Sequence, residues 1–101
     1  MPDPRLFPIT DVNDYAAQVT DVSTQIIAAN DRRRDLEIVN DLDVVVYVSR
    51  SDPAVVGEGM RLNPNGGSYS MDMQNMYLGA FYAICNPQED GSLTVSEGSV
   101  E

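Results

Sequence analysis

Apolar and polar residues alternate in short runs along most of the chain, and turn-forming residues break the runs. Tyr15, Ala17 and Val19 fall on one side of an extended chain, with Ala16, Gln18 and Thr20 on the other. That period of two predicts a strand over 15–22, and 23–29 follows as a second strand. A helix over 15–29 competes with this reading, but Val19, Thr20, Val22, Thr24, Ile26 and Ile27 are β-branched and favour a strand. A third strand is predicted over 36–40, with Leu36 and Ile38 facing inward. The run over 44–49 is nearly continuous in apolar residues, which predicts a central strand or one covered by a partner. These two strands are expected to pair as a hairpin across the turn Asn40-Asp41-Leu42-Asp43. Short strands at 60–62, 68–73, 80–85 and 93–97 complete the set. Within 68–73, Tyr69, Met71 and Met73 alternate with Ser68, Ser70 and Asp72.

The intervening segments carry turn chemistry. Residues 11–15 and 30–35 read as polar turns, and 50–59 as a loop opened by Asp52-Pro53. Asn65-Gly66-Gly67 supplies the positive φ that a tight turn needs. Asn86-Pro87 starts another turn, and 74–79 has no clear assignment. Pro2, Pro4 and Pro8 make 1–10 an extended arm, with Leu6, Phe7 and Ile9 as apolar side chains to bury. The expectation is an all-β chain: a single-domain antiparallel β-sandwich over 11–97, of about seven or eight short strands. Residues 98–101 read as a tail.

Composition narrows the function classes. The 101 residues include 16 acidic and 6 basic ones, for a net charge of -10, and every basic residue is Arg. Such a charge repels phosphate backbones and anionic membranes, so neither nucleic acid nor membrane is expected as a partner. A single Cys permits no intrachain disulfide, and the absence of His removes the commonest general base and metal ligand. The first residues lack the basic and apolar regions of a signal peptide.

The candidate chemistry is sparse. Arg32-Arg33-Arg34 could pair with carboxylates of a partner, or form a solvated turn neutralised by Asp31 and Asp35. Asn40, Asp41 and Asp43, Glu89 and Asp90, or Asp11 and Asp14 offer oxygen ligands for calcium, but none fits a calcium-loop pattern. Paired carboxylates abound, yet a chain this small offers little cleft for glycoside hydrolysis. Cys85 lies in an apolar strand and reads as a buried structural thiol. The Met- and Tyr-rich stretch Tyr69, Met71, Met73, Met76 and Tyr77 suits core packing or an adaptable interface. No enzyme, cofactor or metal is expected.

The layout from Gln25 to Glu97 is recognisable. It runs through Leu36-Glu37-Ile38-Val39-Asn40, Val45-Val46-Tyr47-Val48, Gly59-Met60-Arg61-Leu62-Asn63-Pro64-Asn65-Gly66, Gly79-Ala80-Phe81-Tyr82-Ala83-Ile84 and Leu93-Thr94-Val95-Ser96-Glu97. It resembles small β-sandwich virion proteins of tailed bacteriophages, of the capsid decoration (cement) or head-fibre kind. The resemblance implies a structural virion protein, made in the host cytoplasm. It would bind the major capsid protein or another virion protein and self-associate. Leu6, Phe7, Arg32, Arg33, Arg34, Met76 and Tyr77 are the expected interface residues. The alternative is a receptor- or carbohydrate-binding module on a tail or fibre, against which the absence of Trp counts.

Overall fold

The computed structural model describes residues 9–72 and 74–100. It is all-β, with eight strands: β1 (Asp11–Val19), β2 (Thr24–Ile27), β3 (Arg33–Asn40), β4 (Val46–Ser49), β5 (Met60–Leu62), β6 (Gly67–Met71), β7 (Phe81–Cys85) and β8 (Gly91–Ser99). They form two four-stranded sheets, ordered β1-β8-β3-β6 and β2-β7-β4-β5, and every pairing is antiparallel. Four of the pairs (β1 with β8, β2 with β7, β3 with β6, β4 with β5) describe one long hairpin. Rolling that hairpin up adds the contacts of β8 with β3 and β7 with β4. This is the strand order of a jelly roll, a two-sheet sandwich.

Alternation builds the core. Val19, Leu36, Ile38, Leu93 and Val95 point inward from the first sheet, and Ile27, Val46, Val48, Phe81 and Cys85 from the second. The two inner faces pack against each other, as sandwich sheets do. The strands differ in reach: β1 and β8 run nine residues and β3 eight, whereas no strand of the second sheet exceeds five. The first sheet therefore overhangs the second, and Asp11, Val12, Asn13 and Asp14 of β1 are all exposed.

Two buried polar side chains organise the connections, one at each end of β3. Arg33 is fully buried. Its Nε donates to Glu97 Oε2 at 2.6 Å, Nη1 to the carbonyls of Tyr77 (2.7 Å) and Gly79 (3.1 Å), and Nη2 to the carbonyl of Ala28 (2.8 Å). The guanidinium carbon lies 5.5 Å from the centre of the Phe81 ring, within cation–π range. At the other end, Asn40 Nδ2 donates to the carbonyls of Val44, Leu62 and Asn63, and its Oδ1 accepts the Leu42 amide. The turn into β6 closes beside it: Asn65 and Gly66 take φ of 62° and 112°, and Gly66 donates to the Asn40 carbonyl.

Several expectations are corrected. β3 and β4 do not form a hairpin, because they belong to different sheets. Asn40 explains the difference: its side chain holds the start of β4 and the end of β5, which carries the chain across the sandwich. Residues 11–15 are strand rather than turn, since β1 pairs with β8 from Asp11 onward. Arg33, Arg34 and Asp35 also belong to a strand. A bulge there sets Arg33 opposite Ser99 and Asp35 opposite Gly98, leaving Arg34 as the extra residue. β8 continues to Ser99, two residues beyond the expected domain end. Met73 and the arm residues 1–8 lie outside the described residues.

The Arg33–Glu97 pair yields a stability prediction. Arg33→Ala leaves Glu97 and three carbonyls without a donor, so it should cost roughly 3–5 kcal/mol. Arg33→Met combined with Glu97→Leu removes both charges and should cost clearly less than the single change. Urea unfolding of the two variants checks the order.

Candidate interaction surface

The outer faces of the two sheets differ in chemistry. On the first sheet the outward positions are mostly small, polar or acidic: Asp14, Ala16 and Gln18 on β1, Asp35, Glu37 and Val39 on β3, Ser68 and Ser70 on β6, and Ser92, Thr94 and Ser96 on β8, with Val12 of β1 as an exposed apolar exception. Ser96 donates to Asp14 at 2.5 Å and Thr94 to Asp41 at 3.4 Å. A shallow groove of about 290 Å³ runs along this face past Asp35, Glu37, Ser70, Asp72 and Asn75.

The second sheet turns out Gln25 from β2, Tyr82 and Ile84 from β7, Tyr47 and Ser49 from β4, and Arg61 from β5. The cross-strand register joins them in two rows. Gln25, Tyr82 and Ser49 are opposite one another, and so are Ile84, Tyr47 and Arg61. Tyr47, Tyr82 and Ile84 are half-buried by their neighbours, and Arg61 is exposed. No residue of β2, β4, β5 or β7 is acidic, although 16 of the 101 residues are. The face is therefore an aromatic and apolar strip with one cation at its margin. Arg61 Nε donates to Asn63 Oδ1 at 3.1 Å, which holds the guanidinium beside that strip.

The expected interface residues fare differently. Leu6 and Phe7 lie outside the described residues. Arg32 is exposed, and its amide donates to Asn30 Oδ1. Arg34 is half-buried, with Nη1 on the Arg33 carbonyl. Arg33 drops out of the partner-facing triplet, because its whole side chain is inside the sandwich and its partner is Glu97. Met76 and Tyr77 are half-buried against the core. The Tyr77 ring meets Phe81 edge-on at 5.3 Å, its hydroxyl donates to the Arg50 carbonyl, and the Arg50 guanidinium sits 5.8 Å from its centre. The Met- and Tyr-rich stretch thus packs: Met71 is buried, and Tyr69 lies on the core edge.

Several acidic side chains serve local structure. Asp14 and Asp41 accept from β8, and Asp21 accepts the Gln88 amide. Asn40 is committed to the backbone. Among the described residues, no group of three or more Asp, Glu or Cys side chains is placed to hold a metal ion. Burial, assisted by Glu97 and opposed by Arg33, raises the Tyr15 phenol above its ordinary value. That hydroxyl donates to the Ile26 carbonyl across the sandwich.

The Tyr47, Tyr82 and Ile84 strip was not singled out by the sequence patterns, although its signal was present. Once alternation assigns Val46, Val48, Phe81, Ala83 and Cys85 to the core, the outward positions of those strands remain apolar or aromatic except Ser49. The near-continuous apolar run through β4 has that origin, and β4 is indeed interior to its sheet.

Cys85 is fully buried and free. Burial, and then the carboxylates of Glu89, Asp90 and Asp21, raise its thiol above the ordinary 9.0. A raised value favours the protonated, folded form. Its contribution is complete below the unfolded-chain value and fades as pH climbs toward the folded one. Native protein should therefore label with a thiol reagent only at the rate of unfolding, and unfolding free energy should decline at alkaline pH less steeply in Cys85→Val. Labelling time courses with and without urea, and urea titrations across alkaline pH, check both. No family model, curated protein or solved structure matches this chain, so the surface rests on its own chemistry.

Proposed function

We propose that this is a non-enzymatic structural virion protein of a tailed phage, which binds the capsid surface and stabilises the shell. In this reading the outer face of the second sheet docks on the major capsid protein or a neighbouring virion protein. The observation that carries the reading is the segregation of carboxylates away from Tyr47, Tyr82, Ile84 and Arg61 in so acidic a chain. Interface cores are depleted in Asp and Glu and enriched in Tyr and Arg. Jelly rolls occur in viral capsid and lectin domains, which is support by analogy of fold alone. A protein that binds the assembled shell but not its separated subunits stabilises the shell by mass action. The acidic first sheet then faces solvent and keeps the free protein soluble.

A second reading is a carbohydrate-binding module on a tail or fibre. Two tyrosines on an open sheet, flanked by Gln25, Ser49 and Arg61, offer both a stacking surface and hydrogen-bonding groups for a sugar.

Co-sedimentation with purified shells that lack the protein tests the first reading, and glycan binding tests the second. The expected result is binding to shells that weakens roughly tenfold or more in Tyr47→Ala and Tyr82→Ala, as at interface hot spots. Glu37→Gln, on the opposite face, should leave it unchanged. No association with shells overturns the proposal, and glycan binding lost in the same tyrosine variants installs the second reading.

A further inference from the structure

We propose that the outer edge of β1 is a self-association site, where a second copy of this chain adds its own β1 antiparallel and joins two first sheets into one. Four strand edges are open among the described residues, those of β1, β6, β2 and β5. Natural sheets blunt such edges with very short strands, bulges, Pro or charged side chains, Lys above all. Two of the four follow that rule, since β5 has three residues and β2 has four and a bulge, and β6 has only five. β1 follows it only through the charges of Asp11 and Asp14. It runs nine residues in unbroken register with β8 and contains no Pro, Lys or Arg.

The peptide groups that face outward can be assigned. The Ser99 carbonyl accepts from the Thr10 amide, whereas the Val100 amide donates to the Arg32 carbonyl. Odd-numbered residues of β8 thus turn toward β1 and even-numbered ones toward β3. Asp11, Asn13, Tyr15, Ala17 and Val19 stand opposite odd-numbered residues of β8 and bond inward. Val12, Asp14, Ala16 and Gln18 present their N–H and C=O groups to the open edge.

Those four positions select one register. An antiparallel second copy pairs all of them only when the two-fold axis passes through Tyr15. Val12 then faces Gln18, and Asp14 faces Ala16, twice over. Moving the axis to Asp14 sets that carboxylate against its own copy, which is unfavourable. Moving it to Ala16 leaves Val12 opposite Thr20, beyond the end of the strand. The favoured register has no like charges opposite and repeats Tyr15 against Tyr15 on the core side. The edge is therefore complementary to itself, as a two-fold interface requires. Opposed residues of an antiparallel pair share a face, so both second sheets lie on the same side of the joined sheet. The dimer would present two Tyr47–Tyr82 strips in one direction, a bivalent geometry. The inference does not depend on what those strips bind.

Sedimentation velocity of the intact chain, from micromolar to submillimolar concentration, tests it. The expected result is a monomer–dimer equilibrium that tightens with added salt, since both copies carry -10. Ala16→Pro removes an outward amide and no bond to β8, so it should be folded by circular dichroism and monomeric. Ala16→Asp, which sets a carboxylate against Asp14 of the second copy at two places, should weaken association roughly tenfold, and Ala16→Lys should tighten it. A wild-type monomer at every concentration overturns the proposal, as does a dimer that Ala16→Pro leaves unchanged. If Ala16→Pro does not fold, the Asp and Lys variants decide, and equal association in both overturns the proposal.

Discussion

A guanidinium inside a small β-sandwich is costly to desolvate, and the rest of this structure is arranged so that Arg33 is worth keeping there. Its fork reaches four oxygens in three directions: the Glu97 carboxylate on β8, the Ala28 carbonyl between β2 and β3, and the Tyr77 and Gly79 carbonyls between β6 and β7. Connections that enter a sandwich carry carbonyls needing donors. One side chain here satisfies three of them, and Phe81 covers its flat face. Lys could not take this role, because a point charge with three donors lacks the planar fork and the stacking surface. The pair is therefore specific in geometry as well as charge. Losing one partner is worse than losing both.

Seen from β3, the fold has a spine. Arg33 begins that strand and Asn40 ends it, and both are completely buried. Arg33 gathers the connections before β3 and after β6. Asn40 gathers those after β3 and after β5. Between them Leu36 and Ile38 fill the core with side chains that have no polar needs. A jelly roll must send its chain repeatedly from one sheet to the other, and each crossing exposes peptide groups to the interior. Placing a multivalent polar side chain at each end of the central strand satisfies these groups without opening the core to water.

Most of the strands were legible because alternation is a local signal, although the polar starts of β1 and β3 read as turns. The core positions Leu36 and Ile38 follow from it directly. Pairing was not legible, because β8 with β3 and β7 with β4 join residues far apart in sequence, and adjacency suggested a β3–β4 hairpin instead. The burial of Arg33 was hidden for a sharper reason. Counting back by twos from Ile38 and Leu36 puts Arg34, not Arg33, on the inner face. The bulge at Arg34 inserts one residue and exchanges the two. A triplet of arginines next to aspartates then looks like a solvated turn, although one of the three is the most buried cation the described chain contains. The Tyr47–Tyr82 strip escaped for the opposite reason. Its residues resemble core residues, and only the assignment of both faces of β4 and β7 separates them from the core.

The distribution of carboxylates carries the functional argument furthest. Strands disfavour Asp and Glu in general, so their absence from one sheet could be ordinary. The first sheet supplies the comparison within the same molecule: Asp11, Asp14, Asp35, Glu37 and Glu97 all lie in its strands. Strand propensity therefore does not exclude acids from this fold, and the second sheet differs for another reason. Its outward Tyr47, Tyr82 and Ile84 are held by ladders on both sides, because β7 and β4 are interior strands. Backbone paired on both sides is already ordered, so little ordering entropy is lost when the strip is covered. An aromatic face whose strands carry no acid on one side of the sandwich, and a sheet whose strands carry several on the other, make the molecule directional. That property suits attachment to a larger surface better than it suits chemistry in a cleft.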